Sequence, residues 1–402
     1  MTTRRSRFDP ERRPPASGPH APVLAWLAVG LCVIVSSLVP LGATSQALAA
    51  TAGVLARVPV APVALRGPGK VITPGMDVPD PFVVEVAGVY FMFASQEQFF
   101  GANVPLLVST SLTSWGPTTL DAMPKLPRWA APGFTWAPDV RQLDGRYVMW
   151  FNAALATRGF GQTKCIGVAT ASSVIGPYES TATAPLVCQL GHLGSIDPHT
   201  FMDPEGRLWL LWKSDDNARL TASTRTTIYV QQLSADGLHL LGSPLALMTA
   251  DRPWEGRIVE SPDMVFAGGR YWLFFSGNWF NQPAYAIGVA QCAGPRGPCR
   301  PSSSGPWMAS NAQGPGPGEE SLFYDGSRWW MFYAPFAVNY QDSTPRPAAL
   351  ARLSFGPNGP AVVAPGTAAW DAPAPRATKH EAACTNPFQA TCPARGVGPM
   401  MK

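Results

Sequence analysis

The sequence predicts an all-β chain built as a five-bladed β-propeller. An N-terminal export or anchor segment precedes it and a Pro/Ala-rich tail follows. Three observations carry this prediction. A glycine followed by an aromatic-rich run recurs five times, at Gly88, Gly145, Gly206, Gly269 and Gly326, with spacings of 57, 61, 63 and 57 residues. Each run is preceded by a second apolar run that begins in an acidic or polar cluster. The 402 residues include 43 prolines and 38 glycines, a density of turns that long helices do not tolerate. Repeats of about 60 residues indicate stacked supersecondary units. The runs themselves (VYFMFAS, RYVMWFNA, RLWLLWKS, RYWLFFSGN, SRWWMFYAP) are short, bulky and without helical periodicity, as buried strands are. Some four strands per unit make a propeller blade.

In chain order, residues 1–49 form the first segment. Five arginines between Arg4 and Arg13 precede an apolar run from Ala21 to Ala43, and Ala47-Leu48-Ala49 offers small residues for signal peptidase. The run is also long enough to serve as an uncleaved anchor, so both readings stay open. Either one places the remainder outside the cytoplasm, secreted or tethered to the outer face of the membrane. Most of the net charge of +4 lies in this segment, which leaves no basic field for nucleic acid. Residues 50–74 read as a linker, 75–357 as the propeller and 358–402 as a tail with a small cysteine loop. Cys32 lies in the apolar run; the other six cysteines suit an oxidising compartment. Pairing of sequence neighbours gives 165–188, 292–299 and 384–392, one of 15 arrangements that six cysteines allow.

The innermost strand of each blade faces the central channel, so residues that open those strands converge. They are Asp80-Pro81, Pro138-Asp139, Asp197-Pro198, Pro262-Asp263 and Glu319-Glu320. Carboxylates held across a narrow channel suit glycoside hydrolysis. One acts as a general acid, one activates water, and a third raises the acid's pKa.

At these residues the chain resembles glycoside hydrolase family 43, over about residues 76–357. Asp80-Pro81-Phe82-Val83 is similar to the family's general-base motif, Ser195-Ile196-Asp197-Pro198 to the motif of the pKa modulator, and Val259-Glu260-Ser261-Pro262 to that of the general acid. Trp136-Ala137-Pro138-Asp139, Gly176-Pro177-Tyr178 and Gly316-Pro317-Gly318 fit as well. The resemblance implies catalytic roles for Asp80, Asp197 and Glu260. It implies an inverting hydrolase acting on arabinose- or xylose-containing polysaccharide or cell-wall glycan, working as a monomer without a required cofactor. Each carboxylate has a plainer reading as a turn, cap or surface residue, with Asp77 and Glu255 as rivals of Asp80 and Glu260. Asp203-Pro204 reads as a strand-to-strand turn. Phe99, Trp136, Trp254 and Trp279 are candidates for stacking on sugar, and Asp139 for binding substrate or for structure.

One departure stands out. The family's last blade usually carries Gly-Pro-Gly-His, whereas this chain has Gly316-Pro317-Gly318-Glu319. Glu319 is a candidate to reach substrate, to form a salt bridge, or to join His199 around a structural Ca²⁺, which prefers oxygen ligands. The alternative function is a non-catalytic glycan-binding propeller at the cell surface. Invertase-type propellers use Asn-Asp-Pro, Arg-Asp-Pro and Glu-Cys motifs, which this chain lacks.

Overall fold

The computed structural model describes residues 69–363, apart from 97–100, 159–162, 220–223, 312 and 337–344. The export segment, most of the tail, Cys32, Cys384, Cys392 and Phe99 lie outside the described residues. Five antiparallel sheets form the blades. Blade 1 is β2 (Phe82–Val86), β3 (Val89–Phe93), β4 (Pro105–Ser109) and β5 (Gly116–Asp121). Blade 2 is β6 (Ala130–Leu143), β7 (Arg146–Leu155) and β8 (Lys164–Ala171). Blade 3 is β9 (Ser195–Met202), β10 (Leu208–Ser214), β11 (Thr227–Leu233) and β12 (Leu240–Thr249). Blade 4 is β13 (Val259–Ala267), β14 (Arg270–Gly277), β15 (Ala286–Cys292) and β16 (Cys299–Pro301). Blade 5 is β17 (Ser321–Tyr324), β18 (Trp329–Tyr333) and β19 (Ala349–Gly356).

The outer strand of blade 5 is a composite. The N-terminal β1 (Lys70–Val71) pairs with the start of β19, and β20 (Gly359–Val363) pairs with its later part. The first and last described strands thus meet on β19. Both pieces lie outside residues 75–357, because the hydrogen-bonding edge of β19 is filled by residues whose sequence carries no repeat signal.

The aromatic runs are the second strands of the blades, and their lack of alternation has a direct cause. Tyr90 and Met92 pack toward blade 5, while Phe91 and Phe93 pack toward blade 2. The same split recurs at Met149/Trp150, Trp209/Leu210, Phe274/Phe275 and Met331/Phe332. Both faces of these strands are buried, so both must be apolar. The five core clusters are the five blade-to-blade interfaces. Fully burying each such side chain contributes about 1.5–3 kcal/mol.

Turns are tied to this core. Asp203 caps the β9–β10 turn, accepting from the Glu205 and Arg207 N–H groups and, at 2.8 Å, from the Trp209 indole. Asp325 does the same for Ser327, Arg328 and Trp330. Cys165–Cys188 and Cys292–Cys299 are disulfides, as sequence proximity suggests.

Phe332 is wholly buried where blade 5 meets blade 1, edge-on to Trp115 at 6.1 Å. Phe332→Ala is expected to cost roughly 3–5 kcal/mol. A denaturant midpoint unchanged from the parent would show that this junction does not hold the ring closed.

Candidate active site

Each inner strand has an uncommon backbone conformation at the residue that meets the channel mouth. Asp80, Ala137, Asp197, Ser261 and Glu319 have φ of 49°, 47°, 54°, 47° and 55°, one per blade. Left-handed φ in a non-glycine residue costs of order 1 kcal/mol, so five at equivalent positions form a built feature. Proline follows in four of the five, where its missing N–H leaves no donor unpaired in the turn. These five residues form one tier of the channel. Side chains two residues on share a strand face, giving a second tier of Phe82, Asp139, His199, Asp263 and Ser321.

Each left-handed residue points its N–H at the preceding blade. Ala137 donates to Ser95 Oγ (2.8 Å), Asp197 to Asn152 Oδ1 (3.2 Å) and Glu319 to Ser276 Oγ (2.9 Å). Ser95, Asn152 and Ser276 occupy one repeat position, just past the aromatic core of the second strand. In blade 3 that position is Lys213 and in blade 5 it is Ala334, neither of which offers a side-chain acceptor. At those two junctions a carboxylate of the tier takes over. Ser261 N–H donates to Asp197 Oδ2 (3.0 Å), and Asp80 N–H donates to Glu319 Oε2 (3.1 Å).

A cavity where the inner strands begin is lined by Asp80, Asp197, Glu319, Ala137, Ser261, His199 and their neighbours. Glu260 lies one residue before the left-handed turn and is buried beside it. Lys213 Nζ donates to its Oε2 and Tyr285 Oη to its Oε1, each at 2.8 Å. Gly318 makes room for this arrangement: a Cβ there would overlap the Tyr285 ring. Burial raises Asp197 to about 7; the Glu260 and Glu319 carboxylates add to the rise, and Lys213 and the Ser261 N–H oppose it. Asp80 is also pushed well above the usual range, by burial first and then by Glu319 and Asp197, against the Ser95 hydroxyl and Arg346.

The structure therefore gathers Asp80, Asp197, Glu260 and Glu319 around one channel mouth. Trp136 is half-buried next to Ala137, with Lys164 Nζ 5.2 Å from its ring. Asp139 sits behind the cavity wall. Its oxygens accept from the Thr200 N–H and hydroxyl and pair with His199, which makes it a link from blade 2 to blade 3. Trp254 packs 5.8 Å from Phe275, against the end of β14, and Trp279 is half-buried just beyond that strand. Asp77 accepts from the Arg346 N–H (2.7 Å). Glu255, fully buried, pairs with Arg252.

A hard divalent ion requires several free oxygen ligands. Glu319 has one oxygen on Arg346 and the other on the Asp80 N–H. The ring nitrogens of His199 lie against Asp139 and Asp263, at 3.4 and 3.0 Å. Burial lowers the His199 pKa, but those two carboxylates outweigh it and raise the value. Among the described residues no three His, Cys, Asp or Glu side chains gather to hold a metal. Both Glu319 oxygens and both His199 ring nitrogens are therefore already engaged by protein partners.

Lys213, Tyr285 and Arg346 escaped sequence reasoning. Lys213 had a legible signal, as the one cation at a repeat position that otherwise holds Ser, Asn or Ala. Tyr285 and Arg346 had none, because they approach from outside the repeated motifs.

Asp197 has a folded pKa above its ordinary value of about 3.9, so the folded state keeps a proton that the unfolded chain releases. Its contribution to stability is present below about pH 4 and is lost as pH rises to about 7. Asp197→Asn should therefore melt higher than the parent at neutral pH, with the gap closing toward pH 4. A gap that stays constant with pH would contradict this.

The model for glycosyl hydrolases family 43 matches residues 70–360. The extracellular endo-α-(1→5)-L-arabinanase 2 of Bacillus subtilis strain 168 is 26% identical over 266 residues, covering 61% of this chain and 54% of that protein. The extracellular endo-α-(1→5)-L-arabinanase of Thermotoga petrophila is 27% identical over 264 residues, covering 55% and 50%. The chain thus spans about half the length of the curated relatives it matches. The crystal structure of a thermostable family-43 glycoside hydrolase superposes with a TM-score of 0.63 at 25% identity, over 73% of this chain and 96% of that one. A solved endo-1,4-β-xylanase from Bacteroides thetaiotaomicron VPI-5482 shares the fold at a TM-score of 0.62 and 21% identity, over 73% and 96%.

Proposed function

The chain belongs to glycosyl hydrolase family 43, and from that premise we propose that it is a glycoside hydrolase cleaving O-glycosidic bonds in arabinose- or xylose-containing polysaccharide, by inversion. The observation that carries the reading is that Asp80 and Asp197, from two blades, line one cavity with Ser261 of a third, whose neighbour Glu260 is buried and acts on Asp197.

Asp80 lines the cavity, and the Ser95 hydroxyl fixes one of its carboxylate oxygens. Once ionised, it takes a proton from a water molecule, and that water attacks the anomeric carbon. The raised Asp80 pKa makes it a stronger base than an ordinary carboxylate. Glu260, oriented through both oxygens by Lys213 and Tyr285, protonates the leaving sugar oxygen. Asp197 accepts the Ser261 N–H beside Glu260 and holds a proton within this group of acids up to about neutral pH. Water and leaving group on opposite faces of the sugar invert the anomeric centre.

Arabinan is the first substrate to test, because the relatives that match are named arabinanases. Their being named extracellular, with the basic and apolar N-terminal sequence, supports action outside the cytoplasm.

Purified protein is expected to release oligosaccharides from linear arabinan or to cleave aryl arabinofuranosides or xylosides. Proton NMR of the first product should show the anomer opposite to that of the substrate; retention would reject the inverting assignment. Glu260→Gln and Asp80→Asn are each expected to lower kcat by about 10²–10⁴-fold. Sugar binding without turnover on any of these substrates would instead identify a glycan-binding propeller.

A further inference from the structure

Arg346 brings a buried guanidinium to the channel mouth from the chain preceding β19. It forms an ion pair with Glu319 Oε1, donates to Ala334 O (2.6 Å) and lies 5.5 Å from the Tyr285 ring and 4.9 Å from the Phe336 ring. The other Glu319 oxygen accepts the Asp80 N–H. The pair therefore touches both halves of the acid–base machinery: Asp80 through a hydrogen bond, and Glu260 through Tyr285, whose hydroxyl donates to Glu260. It also fills the place where Ala334 leaves the blade 5–blade 1 junction without a side-chain acceptor.

We propose that Glu319 and Arg346 are positioning residues for Asp80: Glu319 anchors its backbone turn, and the ion pair sets the charge against which its carboxyl ionises. This rests on Asp80 being the base of the proposed hydrolase. The charged groups facing Asp80 are Glu319 and Arg346 from blade 5 and Asp197 from blade 3. Glu260 of blade 4 faces Glu319, and His199 and Glu320 line the same cavity. The two members act on Asp80 with opposite signs, Glu319 raising its pKa and Arg346 lowering it. Arg346 is a covalently supplied cation that cannot be chelated or deprotonated.

The opposite signs supply the test. Glu319→Gln keeps an oxygen for the Asp80 N–H but removes the negative charge, so the acid limb of kcat/KM should move to lower pH. Arg346→Met should move it to higher pH, leaving kcat/KM about tenfold below the parent in mildly acidic buffer. The double variant should fall between. Glu319→Ala, which also removes the acceptor, should lose kcat with little change in KM, and Gln at that position should restore it. Acid limbs that coincide with the parent's in both single variants would overturn the proposal.

Should the parent turn over no glycoside, the functional reading fails, and melting temperature still decides the inference. Carboxyls whose folded pKa is raised cost stability as pH rises. Glu319→Gln should therefore flatten the fall in melting temperature between about pH 4 and pH 8, and Arg346→Met should steepen it. Parallel curves would overturn the assignment. Adding Ca²⁺ to EDTA-treated protein should leave its melting temperature unchanged; a calcium-dependent rise would put a metal ion at the centre in place of Arg346.

Discussion

The second strand of every blade is covered on both faces by neighbouring blades, and the rest of the molecule depends on that constraint. A strand buried on both sides cannot alternate, so each carries an unbroken bulky run. Five such runs need five neighbours, which only a closed ring provides. Closure then places the first strand of each blade at the axis, where its side chains meet those of four other blades. The composite edge of β1 and β20 on β19 joins the first and last described strands in that ring.

Near the axis the repeat is obeyed in the backbone and broken in the side chains. All five inner strands carry, within or just before them, a left-handed residue whose N–H is passed to the preceding blade. A neutral hydroxyl or amide receives it at three junctions. Lys213 and Ala334 remove that acceptor at the other two, and Asp197 and Glu319 replace it with carboxylates. The substitutions that break the symmetry are thus the ones that concentrate charge. Lys213, freed from accepting a hydrogen bond, donates to Glu260. The structural exceptions are also the residues to which the proposed chemistry falls.

The resulting centre is acidic, with buried basic side chains set against its carboxylates. Lys213 pairs with Glu260 and opposes the rise of the Asp197 pKa, His199 lies between Asp139 and Asp263, and Arg346 pairs with Glu319. Burying charge is costly unless it is paired and hydrogen-bonded, and each of these pairs has further hydrogen bonds. Among the described residues, the Asp80 carboxylate is bonded by a serine hydroxyl and its N–H is linked to Glu319, with no cation in direct contact. That leaves it suited to exchanging a proton with solvent in the cavity.

The amino-acid sequence by itself determined the blade count and the order of the inner strands, because these follow from a local period, and the family resemblance of three motifs singled out Asp80, Asp197 and Glu260 as candidates. It also exposed Glu319 as a departure, since that position lies in a motif. Tertiary structure alone supplied the partners of Glu319. Its partner Arg346 is 27 residues away and outside any repeated element, and Asp80 is 239 residues away. It likewise decided that Asp139 turns from the cavity toward Thr200 and His199, although its motif is as acidic as the others. A side chain's neighbours across a ring are set by closure of the whole chain, and no local pattern encodes them.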